Sequence, residues 1–163
     1  MLDLITLSNT IKQSLSQQNI RVQSEDLNRP WGGFLVIDEK DAKSFIDKYF
    51  PEVDLQTITG EKVSPKMLFV APEKKLSWQY HHRRSEIWKL IEGEAGLVRS
   101  MNDLPGETEN MNRGEVVTLQ KEERHRLVGT SQWGVVAEIW IHTDPQNPSN
   151  EEDIIRLQDD FGR

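Results

Sequence analysis

Three side chains with metal-binding chemistry lie close together in this sequence. Gln79 and His81 are separated by one residue, and Glu86 follows after four more. Because side chains alternate between the two faces of a β-strand, Gln79 and His81 point the same way. A glutamine oxygen, an imidazole and a carboxylate on adjacent strands supply three ligands of a divalent cation. The pattern therefore predicts a metal site in this stretch.

A fourth ligand has to come from further along the chain. His125 is the best candidate, because it opens another apolar, strand-like segment. The sequence contains no cysteine, so neither thiolate ligands nor disulfides are possible. A shell of two histidines, one glutamate and one glutamine suits zinc, manganese, iron, cobalt or nickel. His82 and Lys89 should face away from this site, with Lys89 exposed to solvent, and His142 is assigned no role.

The elements that position these residues are predicted to be short strands. Breakers such as Pro72, Gly93, Gly114 and Gly129 separate the apolar segments, which is typical of a β-sandwich or barrel. The predicted strands are Met67–Ala71, Leu76–His81, Ile87–Ile91, Gly96–Ser100, Val116–Leu119, Arg126–Val128 and Val135–Ile141. Strands and helices do not alternate along the chain, which argues against a parallel α/β sheet.

Two helices are expected outside these strands. Leu4, Leu7 and Ile11 form one apolar stripe, so residues 1–28 are interpreted as an N-terminal helical extension. It is predicted to pack on the main domain or on a partner subunit, with a flexible extension as the alternative. A second helix, at about 41–50, interrupts the strand pattern as an insertion. Residues 29–163 would form the main domain.

Composition limits the classes of partner. With a net charge of −7 and 29% charged residues, the chain is acidic and should be soluble. A diffuse acidic surface argues against nucleic acid and anionic membranes as partners. The sequence shows no signal-peptide pattern and no membrane-spanning apolar segment, so a cytoplasmic location is expected.

The ligand spacing Gln79-x-His81-x4-Glu86-x6-Gly93 resembles the first cupin motif, with Gln79 in place of its first histidine. Gly114 followed by His125 resembles the second. More of the chain is similar to one cupin family, the type II mannose-6-phosphate isomerases, which form the cupin portion of bifunctional mannose-1-phosphate guanylyltransferases. The matching segments are Arg29-Pro-Trp-Gly32, Leu76-Ser-x-Gln79-x-His-His-x-Arg84-x-Glu86-x-Trp88, Gly93, His125-Arg-Leu127, Glu138-Ile139 and Glu152-Asp-Ile-Ile-Arg-Leu-x-Asp-x-Phe-Gly-Arg163.

The resemblance implies a cupin double-stranded β-helix, that is, a jelly-roll barrel, with zinc as the first choice of metal and a homodimer as the expected assembly. It also implies a metal-dependent isomerase of a sugar or sugar phosphate that works through an enediol. Glu138 is the candidate catalytic base, although a structural glutamate paired with an arginine is the alternative. Arg84, Arg126 and Arg163 match basic residues of the family and are candidates for phosphate binding, but on a regular strand Arg126 would point away from the metal.

Two other functions stay open. The chain could be a cupin that binds metal and sugar without turnover, or an enzyme of different chemistry, such as an oxygenase or epimerase. A four-ligand shell favours the isomerase or the binder, because an oxygenase needs more open positions on its iron. Departures from the family pattern, such as Glu73 in place of a glycine and Ile87 in place of a histidine, weaken mannose 6-phosphate as the specific substrate.

Overall fold

The computed structural model describes residues 3–54 and 62–162. Its helices are α1 (Leu4–Ser16) and α2 (Ala42–Tyr49), the latter preceded by a short 3-10 turn at Glu39–Asp41. Its strands are β1 (Val22–Arg29), β2 (Gly32–Ile37), β3 (Val63–Val70), β4 (Trp78–Tyr80), β5 (Arg84–Gly93), β6 (Gly96–Ser100), β7 (Glu109–Asn110), β8 (Val116–Leu119), β9 (Arg124–Val128), β10 (Gly134–His142) and β11 (Ile155–Gln158).

The strands form two antiparallel sheets that face each other. The six-stranded sheet has the order β1-β2-β3-β10-β5-β8, and the five-stranded sheet has the order β11-β4-β9-β6-β7. Neighbours in each sheet are often distant in the chain, as β3 and β10 are, which is the connectivity of a jelly roll rather than of a meander. The expected all-β fold with two added helices is confirmed.

The two helices cover the outside of the six-stranded sheet. Asp3 caps α1 by accepting a hydrogen bond from the backbone N–H of Thr6 at 2.7 Å. The apolar stripe of α1 buries Leu7 and Leu15, and α2 buries Phe45 and Ile46. These side chains belong to an outer cluster that also contains Leu35, Ile37, Met67, Phe69, Ile87, Val135, Ala137 and Ile139.

The opposite face of the same sheet lies inside the sandwich. Here an inner cluster fills the space between the sheets, with Leu68, Val70, Trp88, Leu90, Ala95, Leu97, Leu119, Leu127 and Val136. Outer and inner residues alternate along β3, β5 and β10, so the middle of the sheet is buried on both faces. This explains why β3 and β10 are almost continuously buried rather than alternately exposed.

The structure differs from the sequence expectations at three points. Residues 22–28, assigned to the helical extension, belong to β1, a sheet-edge strand with few buried side chains and hence no apolar periodicity. The strand expected at Leu76–His81 is reduced to β4. Lys89, expected to be exposed, is buried on the outer face, where its ammonium group bonds the carboxylate of Glu52 at 2.7 and 2.8 Å. None of the described helices has the length and hydropathy to cross a membrane.

Candidate metal centre

Three predicted ligands meet between the two sheets. His81 directly follows β4 and His125 lies on β9 of the five-stranded sheet, while Glu86 on β5 faces them from the other sheet. Nε2 of His81 is 3.2 Å from Glu86 Oε1, Nε2 of His125 is 3.4 Å from Glu86 Oε2, and the two Nε2 atoms are 3.3 Å apart. All three side chains are buried. Their ligand atoms could therefore hold one metal ion.

The backbone selects the tautomer of both imidazoles. Nδ1 of His81 lies 2.7 Å from the carbonyl oxygen of Asp153, and Nδ1 of His125 lies 2.9 Å from that of Glu123. Because a carbonyl oxygen only accepts hydrogen bonds, each Nδ1 carries a proton, which in the neutral ring leaves the lone pair on Nε2. Metal-binding histidines are oriented in the same way in proteins, so the donor set fits a divalent cation.

The charge states also suit metal ligation. Burial lowers the pKa of His81, which favours the neutral, metal-binding form. Burial alone would raise the pKa of Glu86, but the neighbouring cationic groups outweigh it and hold this pKa well below its ordinary value. These groups are His81, Arg84 and His125, and the charge of Arg84 is permanent. Glu86 is therefore a carboxylate.

Gln79 borders the same cluster. Its Cα is the register partner of His125, and its amide Nε2 lies 3.5 Å from Nε2 of His81. The amide Oε1 accepts a hydrogen bond from the hydroxyl of Ser77 at 2.6 Å. The serine hydroxyl can accept as well as donate a hydrogen bond. The side-chain amide of Gln79 can therefore be rotated by 180°, so that its NH2 group donates to Ser77. That orientation turns the amide oxygen toward the histidines, as a fourth ligand requires.

Arg84 lies against the ligands rather than in an open turn. Its Nε donates to Glu86 Oε1 at 2.9 Å, and Nη2 donates to His81 Nε2 at 3.2 Å. On the other side, Nη1 donates to the Ser149 hydroxyl at 2.9 Å and to the Asn150 carbonyl at 3.2 Å. The guanidinium group therefore uses lone pairs that a bound cation would also use, while it anchors the loop before β11.

Glu138 lies beside this cluster on β10. Its Oε2 accepts a hydrogen bond from the indole N–H of Trp88 at 2.8 Å, and its Oε1 accepts one from Trp140 at 2.9 Å. Burial, together with the nearby charge of Glu86, raises the pKa of Glu138 to about 8. Two indoles and the carboxyl group of Glu86 are thus its hydrogen-bonding partners, where the alternative interpretation proposed an arginine.

Arg126 is separated from the site. Its Nε donates to the backbone carbonyl of Leu76 at 2.7 Å, and Nη2 donates to that of Gln158 at 3.3 Å. Strand alternation explains this placement, because the preceding residue, His125, points inward. Arg126 thus bonds the segments on either side of it and does not line the cavity beside the ligands, and its expected role in phosphate binding stays a prediction.

The remaining sequence candidates lie outside the cluster. His82 is half exposed, with Nδ1 3.2 Å from Glu122, as strand alternation predicted. His142 is buried, and its Nε2 lies 2.7 Å from the Ser64 hydroxyl. Arg163 lies outside the described residues.

Two residues of the site were not expected from the sequence. Lys66 on β3 lines the cavity next to the ligands, and its sequence signal was the same as that of Glu138, a charge within a buried strand. Asp153 accepts hydrogen bonds from the backbone N–H groups of His82 and Arg83 at 2.9 and 3.0 Å. It therefore holds the turn after His81, and no local pattern connects residues so far apart in the chain.

A cavity of about 100 Å³ opens beside the ligands. Its lining combines aromatic rings with charged groups of both signs: Arg29, Trp31, Phe34, Lys66, Leu68, Leu76, Ser77, Gln79, Arg84, Glu86, Trp88, Glu138, Trp140, Glu151, Ile154 and Arg156. Aromatic walls with a few convergent polar groups are typical of a small-molecule site.

Sequence comparisons agree with this architecture. A family model described as "Mannose-6-phosphate isomerase C-terminal" matches residues 40–159. A mannose-1-phosphate guanylyltransferase from Salmonella montevideo is 24% identical over 152 residues, covering 93% of this chain and 26% of that protein. The xanthan biosynthesis protein XanB from Xanthomonas campestris is 26% identical and covers 94% of this chain and 28% of that protein. The chain thus spans about a quarter of the length of these relatives.

Solved structures add a comparison of folds. The capsular polysaccharide assembling protein CapF from Staphylococcus aureus superposes with a TM-score of 0.52 at 15% identity, over 85% of this chain and 34% of that one. A cupin 2 conserved barrel domain protein from Salinispora arenicola is 27% identical, with a TM-score of 0.43, over 52% of this chain and 65% of that one. With its two antiparallel sheets, the domain has the cupin fold that its ligand spacing indicated.

Proposed function

Because this chain belongs to the mannose-6-phosphate isomerase C-terminal family, we propose that it is a metal-dependent isomerase that interconverts aldose and ketose forms of a sugar phosphate. The observation that carries the proposal is the convergence of His81, Glu86 and His125, whose ligand atoms all lie within 4.8 Å of one another. Gln79 is proposed as the fourth ligand. Zinc is the first candidate, with manganese, iron, cobalt and nickel as alternatives.

Isomerisation requires a proton to move between adjacent carbons while the carbonyl oxygen is polarised. A divalent ion held by the four ligands would supply that polarisation as a Lewis acid. Glu138 is proposed to move the proton, because it lines the cavity beside Glu86 and each of its oxygens keeps a lone pair beyond the indole hydrogen bond. A raised pKa suits this role, since a proton shuttle works best near the operating pH.

Two further features favour catalysis on a polar sugar. Trp88 and Trp140 hold the carboxylate of Glu138 in one orientation from two sides, which limits its motion during proton transfer. Arg84 presents a permanent positive charge in the cavity and is proposed to stabilise negative charge that develops on the sugar oxygens.

A second candidate function is metal-dependent sugar binding without turnover. It is favoured by the position of Arg84, whose guanidinium group already bonds Glu86 and His81, two of the ligands on which catalysis depends. In that case the cavity would recognise the ligand, and Glu138 would be retained as a hydrogen-bonding partner of the two indoles. The homodimer expected from the family stays a prediction under both functions.

The test combines metal analysis with isomerase assays on mannose, fructose, lyxose and heptose phosphates. His81→Ala should lose bound metal and at least about 100-fold in turnover, because removing a ligand costs more than the 10–100-fold loss typical of its supporting partners. His82→Ala is the matched control, since this half-exposed neighbour should keep both properties. Stoichiometric metal without turnover on any of these phosphates would leave the binder as the function.

A further inference from the structure

A charged pair, Lys66 and Glu151, forms part of the lining of the cavity. Lys66 on β3 is buried, with its side chain 7% exposed, and its ammonium group pairs with the carboxylate of Glu151. Glu151 comes from the loop between β10 and β11, and its side chain is 66% exposed. A buried cation is thus neutralised by an acid that reaches in from the solvent.

Lys66 is close to the catalytic candidates. Its Nζ lies 4.0 Å from the ring centroid of Trp140, and Cζ of Arg84 lies 3.5 Å from the centroid of the same ring. Lys66 is also the register partner of Glu138 on the neighbouring strand. An anion bound to Lys66 would therefore place the rest of a small ligand against Glu138 and the metal ligands.

The two cations on Trp140 differ in how much of their bonding capacity is already used. Arg84 makes hydrogen bonds to Glu86, His81, Ser149 and Asn150, all within the protein interior or its covering loop. Among the described residues, the acid within ion-pairing distance of Lys66 is Glu151 alone. Of these two cations, Lys66 is consequently the one that an incoming anion can engage by displacing a single, solvent-exposed carboxylate.

The small volume of the cavity also indicates that the pair between Lys66 and Glu151 would separate when a ligand binds. Its volume of about 100 Å³ is below the roughly 300–1,000 Å³ of typical small-molecule pockets. Glu151 and Ile154 of the loop before β11 are part of its lining, so an outward shift of this loop would enlarge it. Breaking the pair between Lys66 and Glu151 would free both the anion-binding group and the space beside it.

We propose that Lys66 binds the phosphate group of the substrate and that Glu151 competes with this phosphate for the same ammonium group. The inference rests on the proposed function, because it takes the ligand to be a sugar phosphate. A phosphate monoester carries a charge of about −1.5 to −2 and three strong acceptor oxygens, so it displaces a single carboxylate from the buried ammonium. Neutral sugars and weakly charged anions therefore do not displace Glu151 from Lys66 and do not bind at this ammonium group.

The experiment is a calorimetric titration of the full chain with inorganic phosphate. Glu151→Gln should tighten phosphate binding about twofold to fivefold, the effect expected from removing one ion pair with an exposed partner. Lys66→Met should weaken it at least about tenfold, since it removes a hydrogen-bonding partner that is charged. Glu152→Gln is the matched control, because it removes the same charge from the next, exposed residue of the loop and should leave the affinity unchanged.

Each result bears on one part of the inference. Equal phosphate affinity in Glu151→Gln, Glu152→Gln and the unaltered protein would overturn the competition. If Lys66→Met fails to fold, Lys66→Arg keeps the positive charge and should bind phosphate within about tenfold of the unaltered protein. Phosphate binding that depends on Lys66, without any isomerase turnover, would support the phosphate site and contradict the isomerase function. Isomerase turnover that is unchanged by substitutions at Lys66 and Glu151 would support the isomerase function and contradict the phosphate site.

Discussion

The two faces of the six-stranded sheet are both buried, yet they carry different chemistry. On the outer face, Ile87 of β5 and Ala137 of β10 pack under the helices in the outer cluster. On the inner face, their chain neighbours have other partners: Glu86 meets His81 and His125, and Glu138 lies beside Glu86. A single step along each strand therefore separates a residue that stabilises the fold from one that is proposed to do chemistry.

This difference shows where the fold can accommodate buried charge. An isolated buried carboxylate is costly unless cations or hydrogen-bond donors compensate it. On the inner face, Arg84 bonds the carboxylate of Glu86, and two indoles bond Glu138, whose raised pKa keeps it protonated at neutral pH, so neither group is an uncompensated buried charge. The inner cluster fills the rest of the space between the sheets with apolar side chains. Stability and function are therefore expected to separate by strand face.

The largest expected effect is on the outer face. Phe69 is fully buried in the outer cluster, so Phe69→Ala should lower the free energy of unfolding by about 3–5 kcal/mol. The folded fraction should still bind one metal ion per chain, because Phe69 belongs to the outer cluster, on the face of the sheet opposite to Glu86. Urea denaturation and metal analysis measure the two effects, and metal loss in the folded protein would contradict the separation of faces.

The same alternation explains what the sequence could predict. Gln79, His81 and Glu86 lie in one short stretch, so strand periodicity and motif spacing were sufficient to group them. β6 and β8 were also predicted at their observed bounds, because each is a compact apolar segment between breakers. Local sequence patterns are sufficient to predict strands of this kind, since the periodicity of a strand is set by neighbouring residues.

Other parts of the site depend on contacts that no local pattern encodes. Asp153 reaches the turn after His81 from more than seventy residues away, and Glu151 reaches Lys66 over a still longer separation. The position of Arg84 is likewise decided by Trp140 and by the loop before β11. These contacts arise from packing between sheets, which strand periodicity does not specify.

The next effect concerns the support of a metal ligand. Asp153→Asn should weaken metal binding about 10–100-fold, as is typical when a group that orients a ligand is altered. The asparagine amide offers one acceptor oxygen to two backbone N–H groups, so the turn that positions His81 loosens. Affinity is measured by zinc competition with a chelator, and Glu152→Gln serves as the control. Unchanged affinity in Asp153→Asn would show that the carbonyl contact alone orients the imidazole.

The third prediction concerns how the free energy of unfolding depends on pH through Glu138 on the inner face. With a folded-state pKa of about 8, it stays protonated in the metal-free folded protein up to that pH, whereas in the unfolded chain it ionises above its ordinary value of 4.5. The folded state therefore binds the extra proton, and its stability falls as pH rises from 4.5 to 8, by at most about 1.4 kcal/mol per pH unit. Glu138→Gln should remove this part of the slope in denaturation of chelator-treated protein, and identical slopes would contradict the assignment.

The smallest effect is expected from the buried charge of the outer face. Lys89 pairs with Glu52, whose side chain is half exposed, so the pair is partly solvated and the apolar surroundings favour a methionine of similar length. Lys89→Met should change the free energy of unfolding by less than about 1 kcal/mol and leave metal content and phosphate affinity intact. Lys66→Met makes the same substitution on the inner face of the same sheet, where it should weaken phosphate binding at least about tenfold. A matching loss in Lys89→Met would mean that both lysines act through the charge of the whole domain rather than through their strand face.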